Sequence, residues 1–539
     1  MIQDGRAQES IELLIEGGRV IDGTGRPAFR ADVAVSGGRI VDVGLFGRPE
    51  GIPALNAAGL VVTPGFIDIH SHSDFTLLVD PRAQSAIAQG VTLEVVGNCG
   101  HGCAPLTDSA LVKTNLYGYL EGHDLSWHTV GEYLDCLEAS KPAVNVAALV
   151  PNGNLRLATA GLVDRPSTPD EVREMERLLK QGLDEGAFGY STGLEYGVER
   201  NCSDEELIAL ARVTGQAGGY YATHTRNRWD EPEETIAEAI RIAQVAGVPL
   251  QISHINVVAR LTDRPRWAVE RTLEQVDQAR ARGLDVGFDV HTRLFGTTNL
   301  SAILPPWALE GGTAAIARRL KDPRTRKELE NSPNLVASLA RGDWEKIVIS
   351  ESQRHPEISR RSIAGISRDR GSGIYDTIYD LLLADVEHLH SLMILAFNYR
   401  AEDVHVAFGH PDCIVGSDAV ALAVDGPLRD QTFHGAYTWA SWFVRHFVTD
   451  RKILSLEEAI RRVTSLPASR VGLRDRGTIR AGNWADLAVF DPDAFAERGT
   501  TFEPNQLAVG MSHVLVNGVV TLRDGVQTGV HGGRVLRAG

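Results

Sequence analysis

Two histidines one residue apart close an apolar run, Phe66-Ile67-Asp68-Ile69-His70-Ser71-His72. In a strand, side chains two apart share a face. The two imidazoles therefore converge at the end of a buried strand, as a divalent metal ion requires. Pro64-Gly65 punctuates the entry to that strand. Four more residues with ligand chemistry end apolar runs: Cys99 after Val95-Val96-Gly97-Asn98, His224 after Tyr220-Tyr221-Ala222-Thr223, His254 after Leu250-Gln251-Ile252-Ser253, and Asp418 after Ile414-Val415-Gly416-Ser417. Singly, each has a plain structural role: a buried thiol, a helix-capping carboxylate, a satisfied imidazole at a strand end. Together, four imidazoles, a thiolate and a carboxylate form a ligand set for one or two zinc-like ions.

Something must bring these residues to one place. Apolar runs at 61–69, 91–97, 144–150, 187–191, 219–223, 249–253, 284–290 and 413–417 read as eight strands. Helical patterns separate several of them, as at Asp170 to Asp184, Ser203 to Gln216 and Pro232 to Ala246. The alternation predicts an α/β fold, a parallel (β/α)8 TIM-like barrel, although a doubly wound open sheet would alternate in the same way. In a barrel the site lies at the carboxyl ends of the strands, where all six residues sit. Alternating apolar residues between Gly turns at residues 1–60 and again at 476–539 predict a small flanking β-sandwich built from both termini, around a barrel spanning 61–475. From 294 to 405 the alternation lapses, through Pro305-Pro306 and Gly371-Ser372-Gly373. An interruption of that length predicts a helical insertion or lid over the strand ends.

The 539 residues are enough for a large core and more than one domain. A net charge of -16 argues against nucleic acid and anionic membranes as partners. No secretory pattern opens the chain, and no stretch approaches the roughly 20 apolar residues of a membrane span. Five cysteines, Cys99, Cys103, Cys136, Cys202 and Cys413, are few and odd in number, so a reducing cytoplasm is expected.

The chain resembles the amidohydrolase superfamily, and within it the N-acyl-D-amino-acid deacylase (D-aminoacylase) family. Matching stretches run nearly end to end: Thr63 to His72, Gly97-Asn98-Cys99-Gly100, Gly153-Asn154-Leu155-Arg156, Gly189 to Leu194, Ser253-His254, Leu304-Pro305-Pro306-Trp307, Thr464 to Ala468 and Ala485-Asp486-Leu487. His-x-His is shared across the superfamily, whereas Gly-Asn-Cys-Gly is far narrower. The resemblance implies a barrel with a flanking β-sandwich and zinc at its mouth. Cys99, His224 and His254 would hold a tight ion. His70, His72 and Asp418 would face a second, weaker position, with Asp418 as the catalytic proton carrier. No lysine lies near Gly186 to Thr192, where many superfamily members carry a metal-bridging lysine.

Departures from the family fall around the expected substrate pocket. Asn256 stands where a Lys or Arg is usual, and Asp289-Val290-His291-Thr292-Arg293 replaces Asp-Val-Tyr-Pro-Tyr. Ala419 replaces a glycine, and Phe433-His434-Gly435 stands in place of a His-Pro-Arg segment. His291 and the arginines Arg226, Arg228 and Arg293 are candidates for substrate binding, the guanidinium groups as bidentate clamps on a carboxylate. The expected activity is metal-dependent hydrolysis of a linear amide, an N-acyl-D-amino acid or similar small molecule. The alternatives are opening of a cyclic amide or imide of the hydantoinase type, and a catalytically silent binding subunit. A homo-oligomer is compatible with either kind of role.

Overall fold

The computed structural model describes residues 11–47, 50–107, 112–113, 116–228, 231–255, 266–352 and 354–539. Asn256 lies outside them. Five strands precede the barrel: β1 (Leu13–Val20), β2 (Phe29–Ser36), β3 (Arg39–Gly44), β4 (Ala54–Asn56) and β5 (Val61–Pro64). The barrel strands begin with β6 (Phe66–Asp68), β7 (Val91–Val96), β8 (Asn145–Pro151) and β9 (Gly189–Gly193). They continue with β10 (Tyr220–His224), β11 (Leu250–Ile252) and β12 (Val286–His291). The three short strands β13 (Gly296–Asn299), β14 (Ile347–Ile349) and β15 (Met393–Ala396) precede the last barrel strand, β16 (Cys413–Gly416).

Every residue of β7 and β8 is buried, as in strands covered on both faces. Neighbours pair in parallel in the order β16-β12-β11-β10-β9-β8-β7-β6. The ring closes through a parallel bridge between Ser71 and Ala419, where Asp418 N donates to His70 O at 2.8 Å and His72 N to Ala419 O at 2.7 Å. The predicted barrel is therefore present, and its closure seam runs directly through the His-x-His motif. The helix Pro169–Asp184 starts at Thr168, whose side chain and Glu171 form a reciprocal capping box. Among the described residues no helix is long and apolar enough to cross a membrane.

The segment between β12 and β16 is not only helical. It carries helices such as Gly312–Lys321 and Ile374–Ala384, and also the antiparallel sheet β13-β15-β14. Strands of three or four residues are too short to leave a readable period in the sequence. The segment has an apolar core of its own, including Ile316, Leu320, Leu339, Ile363, Ile378 and Leu382. The last strands, β17 (Leu487–Phe490), β18 (Met511–Val516), β19 (Val519–Arg523) and β20 (Val526–Gln527), join the first five in one nine-stranded sheet. β17 lies antiparallel to β5, which unites the two ends of the chain.

Candidate metal centre

The six strand-end residues meet at the barrel mouth in two groups that share Cys99. One comprises His70, His72, Cys99 and Asp418, the other Cys99, His224 and His254, with ligand atoms in each within 4.8 Å of one another. The Cys99 sulfur lies 3.2 Å from His70 Nε2 and 3.5 Å from His254 Nε2. Asp418 Oδ1 lies 3.3 Å from His72 Nε2 and 3.6 Å from His70 Nε2.

The backbone is held in place at some cost. Cys99, His254 and Asp418 have φ of 53°, 33° and 47°, the left-handed region that costs a non-glycine residue about 1–2 kcal/mol. Strain of this kind persists where the surroundings over-determine it, and it clusters at functional sites. Here the restraints are visible: Asp289 Oδ1 accepts from His254 N at 2.8 Å, and Ser417 Oγ accepts from Ala419 N at 3.0 Å.

The electrostatics describe a place built for positive charge. Burial alone would raise the Cys99 thiol, but His70 and His254 hold it well below its ordinary value, as a thiolate. Burial disfavours a charged His70, yet the thiolate and Asp289 pull it well above its ordinary value. A proton there supplies the positive charge that a metal ion would otherwise supply. Burial and the Arg228 charge push His254 down to about 4, leaving it neutral as a ligand must be. Asp418, which burial would raise, is held well below its usual range by His72 and Arg293. His224 Nε2 bonds to Glu195 Oε2 at 2.9 Å, while its buried Nδ1 has no hydrogen-bond partner. A soft thiolate, the neutral His254 imidazole and an orphaned ring nitrogen fit a zinc-like ion.

Two orienting residues were missed by the sequence reading. Asp289 accepts from the His70 ring at 3.0 Å and is itself fixed by Gln251 Nε2 at 2.8 Å. Glu195 holds His224 and also accepts from Arg228. Carboxylates behind ligand imidazoles fix the tautomer and ring orientation. The available signal was their position, Asp289 in β12 and Glu195 just after β9, both near strand ends.

The structure separates the candidate substrate residues. Arg226 directs its guanidinium to Glu238 at 2.9 Å and to the carbonyls of Arg200 and Cys202. Arg293, fully buried, donates to Asp418 Oδ2 at 2.9 Å and to Asp418 O at 2.8 Å. His291 accepts from Arg293 N at 3.3 Å and packs on Tyr399, with ring centroids 5.1 Å apart. Arg228 lines a cavity above the cluster, together with Tyr196, Tyr399, Leu335 and Leu339.

Comparison with known proteins places these features in a family. The model of the amidohydrolase family matches residues 54–324 and 397–522. An N-acyl-D-glutamate deacylase of Alcaligenes xylosoxydans xylosoxydans is 33% identical over 514 residues, covering 95% of this chain and 93% of that protein. A D-aminoacylase crystal structure superposes with a TM-score of 0.81 at 31% identity, covering 98% of this chain and 100% of the other. The N-acyl-D-glutamate deacylase from Bordetella bronchiseptica, complexed with zinc and a phosphonate inhibitor, superposes with a TM-score of 0.80 at 30% identity. It too is matched along 98% of this chain and 100% of its own.

Proposed function

The chain belongs to the amidohydrolase family, in its D-aminoacylase branch, and on that premise we propose that it is a zinc-dependent deacylase of N-acyl-D-amino acids with an apolar side chain. The observation that carries this reading is the meeting of two ligand groups on Cys99, with Asp418 beside them braced by Arg293.

Cys99, His224 and His254 would hold the tight ion, and His70, His72 and Asp418 would face a second position. Zinc held there would supply Lewis-acid chemistry toward an amide carbonyl and toward water near neutral pH. Asp418 Oδ1 would take the proton of the attacking water and deliver it to the leaving nitrogen. Arg293 holds the other carboxylate oxygen and so keeps Oδ1 aimed at the reacting atoms.

Arg228 is assigned the substrate carboxylate, since it is the one cation among the described residues lining the cavity. A guanidinium only donates, so His254 Nδ1 must accept the 2.8 Å bond from Arg228, and Nε2 carries the ring proton. Were Nε2 to serve as a metal ligand, the ring proton would lie on Nδ1 and Arg228 would need another acceptor. A carboxylate in the cavity provides one. Leu335 and Leu339, which also line the cavity, suit an apolar side chain rather than a second carboxylate. Five free cysteines suit work in a reducing cytoplasm.

Hydrolysis of matched N-acetyl-D- and N-acetyl-L-amino acids by zinc-loaded protein tests this. Turnover of D-leucine or D-methionine derivatives well above D-glutamate and all L forms is expected. Equal turnover of both enantiomers, or none of either, overturns the assignment.

A further inference from the structure

A second constellation of ligand residues lies away from the barrel mouth. Glu121 sits on the loop between β7 and β8, and His388 and His390 sit in the short turn Val386–Ser391, just before β15. One ligand atom from each of the three lies within 4.8 Å of the others. His388 Nδ1 is 3.7 Å from Glu121 Oε1, with the two side chains 28% and 57% exposed. Solvent therefore reaches the cluster, unlike the buried centre around Cys99. We propose that Glu121, His388 and His390 form a second binding site for a divalent ion of the zinc class, which ties the insertion to the barrel.

The chemistry favours such an ion over calcium or magnesium, because two of the three donors are imidazole nitrogens. Zinc–nitrogen and zinc–oxygen bonds of about 2.0–2.2 Å place tetrahedral ligands roughly 3.5 Å apart. The Glu121–His388 pair already has that spacing, and a ligand atom of His390 lies within 4.8 Å of both.

The surroundings supply an independent mark of a polar occupant. Glu121 and His390 line a cavity of about 330 Å³ together with Tyr119. The Tyr119 hydroxyl is buried and has no hydrogen-bond partner, and its ring centroid lies 5.3 Å from that of His390. Buried hydroxyls are ordinarily satisfied. Three protein ligands leave the fourth position to water. A simple Glu–His ion pair uses one imidazole and explains neither the other histidine nor the orphaned hydroxyl.

The site joins segments with separate cores, so its occupancy bears on how they hold together. The loop that carries Glu121 also carries Tyr117, whose ring packs 5.0 Å from His72 and whose hydroxyl lies 3.4 Å from that of Tyr196. An ion at Glu121, His388 and His390 would fasten the insertion to the loop that walls the catalytic centre.

The test counts metal rather than activity, so it is independent of the deacylase reading. The full-length protein is saturated with zinc, dialysed, and its zinc per chain measured by elemental analysis, with titration calorimetry on the metal-depleted form. Wild type is expected to carry one more equivalent than a His388→Ala/His390→Ala double variant. Glu121→Gln, an isosteric change at an exposed position, keeps the fold and is expected to weaken that same equivalent selectively. Wild-type stoichiometry and affinity in Glu121→Gln, or an unchanged zinc count in the folded double variant, overturns the proposal.

Discussion

The barrel mouth and the insertion between β12 and β16 both line the cavity above the cluster, but they are built on different terms. His224, His254 and Asp418 stand at the ends of barrel strands, and three of the six clustered residues hold left-handed backbone that parallel pairing and side-chain caps keep in place. Leu335, Leu339 and Tyr399 come from a segment with its own small sheet and its own apolar core. Chemistry needs atoms fixed to a fraction of an ångström, and a closed ladder supplies that. Selectivity needs a wall that can be rebuilt without moving the ladder, and a separately packed segment supplies that.

The largest expected effect lies on the barrel side. Asp418→Asn should lower kcat by about 10²- to 10⁴-fold, the scale of a lost proton carrier. Its zinc count should stay close to wild type, because Cys99, His224 and His254 remain. Near-normal turnover in this variant would remove Asp418 from the chemistry.

Arg228→Ala should act on binding, raising KM by about 10- to 100-fold, as for a lost charged hydrogen bond. The rise should vanish for a substrate whose carboxylate is replaced by a neutral amide. An equal rise for both substrates would turn the arginine into a brace for Glu195 alone.

Glu195→Gln should weaken zinc binding by about 10- to 100-fold, measured by competition with a chelator, as for other residues behind a ligand. The same variant has a pH signature in the metal-free protein. Burial would raise the Glu195 carboxyl, but Arg228 and His224 hold it down to about 2, from an ordinary 4.5. A depressed carboxylate adds stability above the unfolded value and loses it as pH falls through the folded one. The wild type should therefore lose this contribution between about pH 4.5 and 2, and Glu195→Gln should show a flatter acid limb by denaturant titration.

The smallest effect belongs to the insertion core. Ile378→Val should cost about 0.5–1.5 kcal/mol. Hydrogen exchange should speed up in the insertion and stay unchanged in the barrel strands. Loosening spread evenly over both would mean that the two cores melt as one.

Much of the fold and the metal cluster could be read from the chain itself. A period of two puts His70 and His72 on one face, and apolar runs ending in Cys99, His224, His254 and Asp418 mark strand ends without any coordinates. The alternation of runs and helical patterns indicated a parallel α/β fold, because both periods are local properties of sequence, and the family resemblance chose the barrel over an open sheet. The short strands β13 to β15 left no such period.

The jobs of the arginines were not readable, since a guanidinium's partner is chosen in space. Arg226 found Glu238, Arg293 found Asp418 across 125 residues, and Arg228 alone reached the cavity. Asp289 and Glu195 were hidden for the same reason: nothing in local sequence says which carboxylate will stand behind which imidazole. Residue type and periodicity determined which atoms could bind a metal and that they would sit at strand ends. Only closure of the barrel, with the bonds it imposes over long separations, decided which charges would meet there and how each histidine would be held.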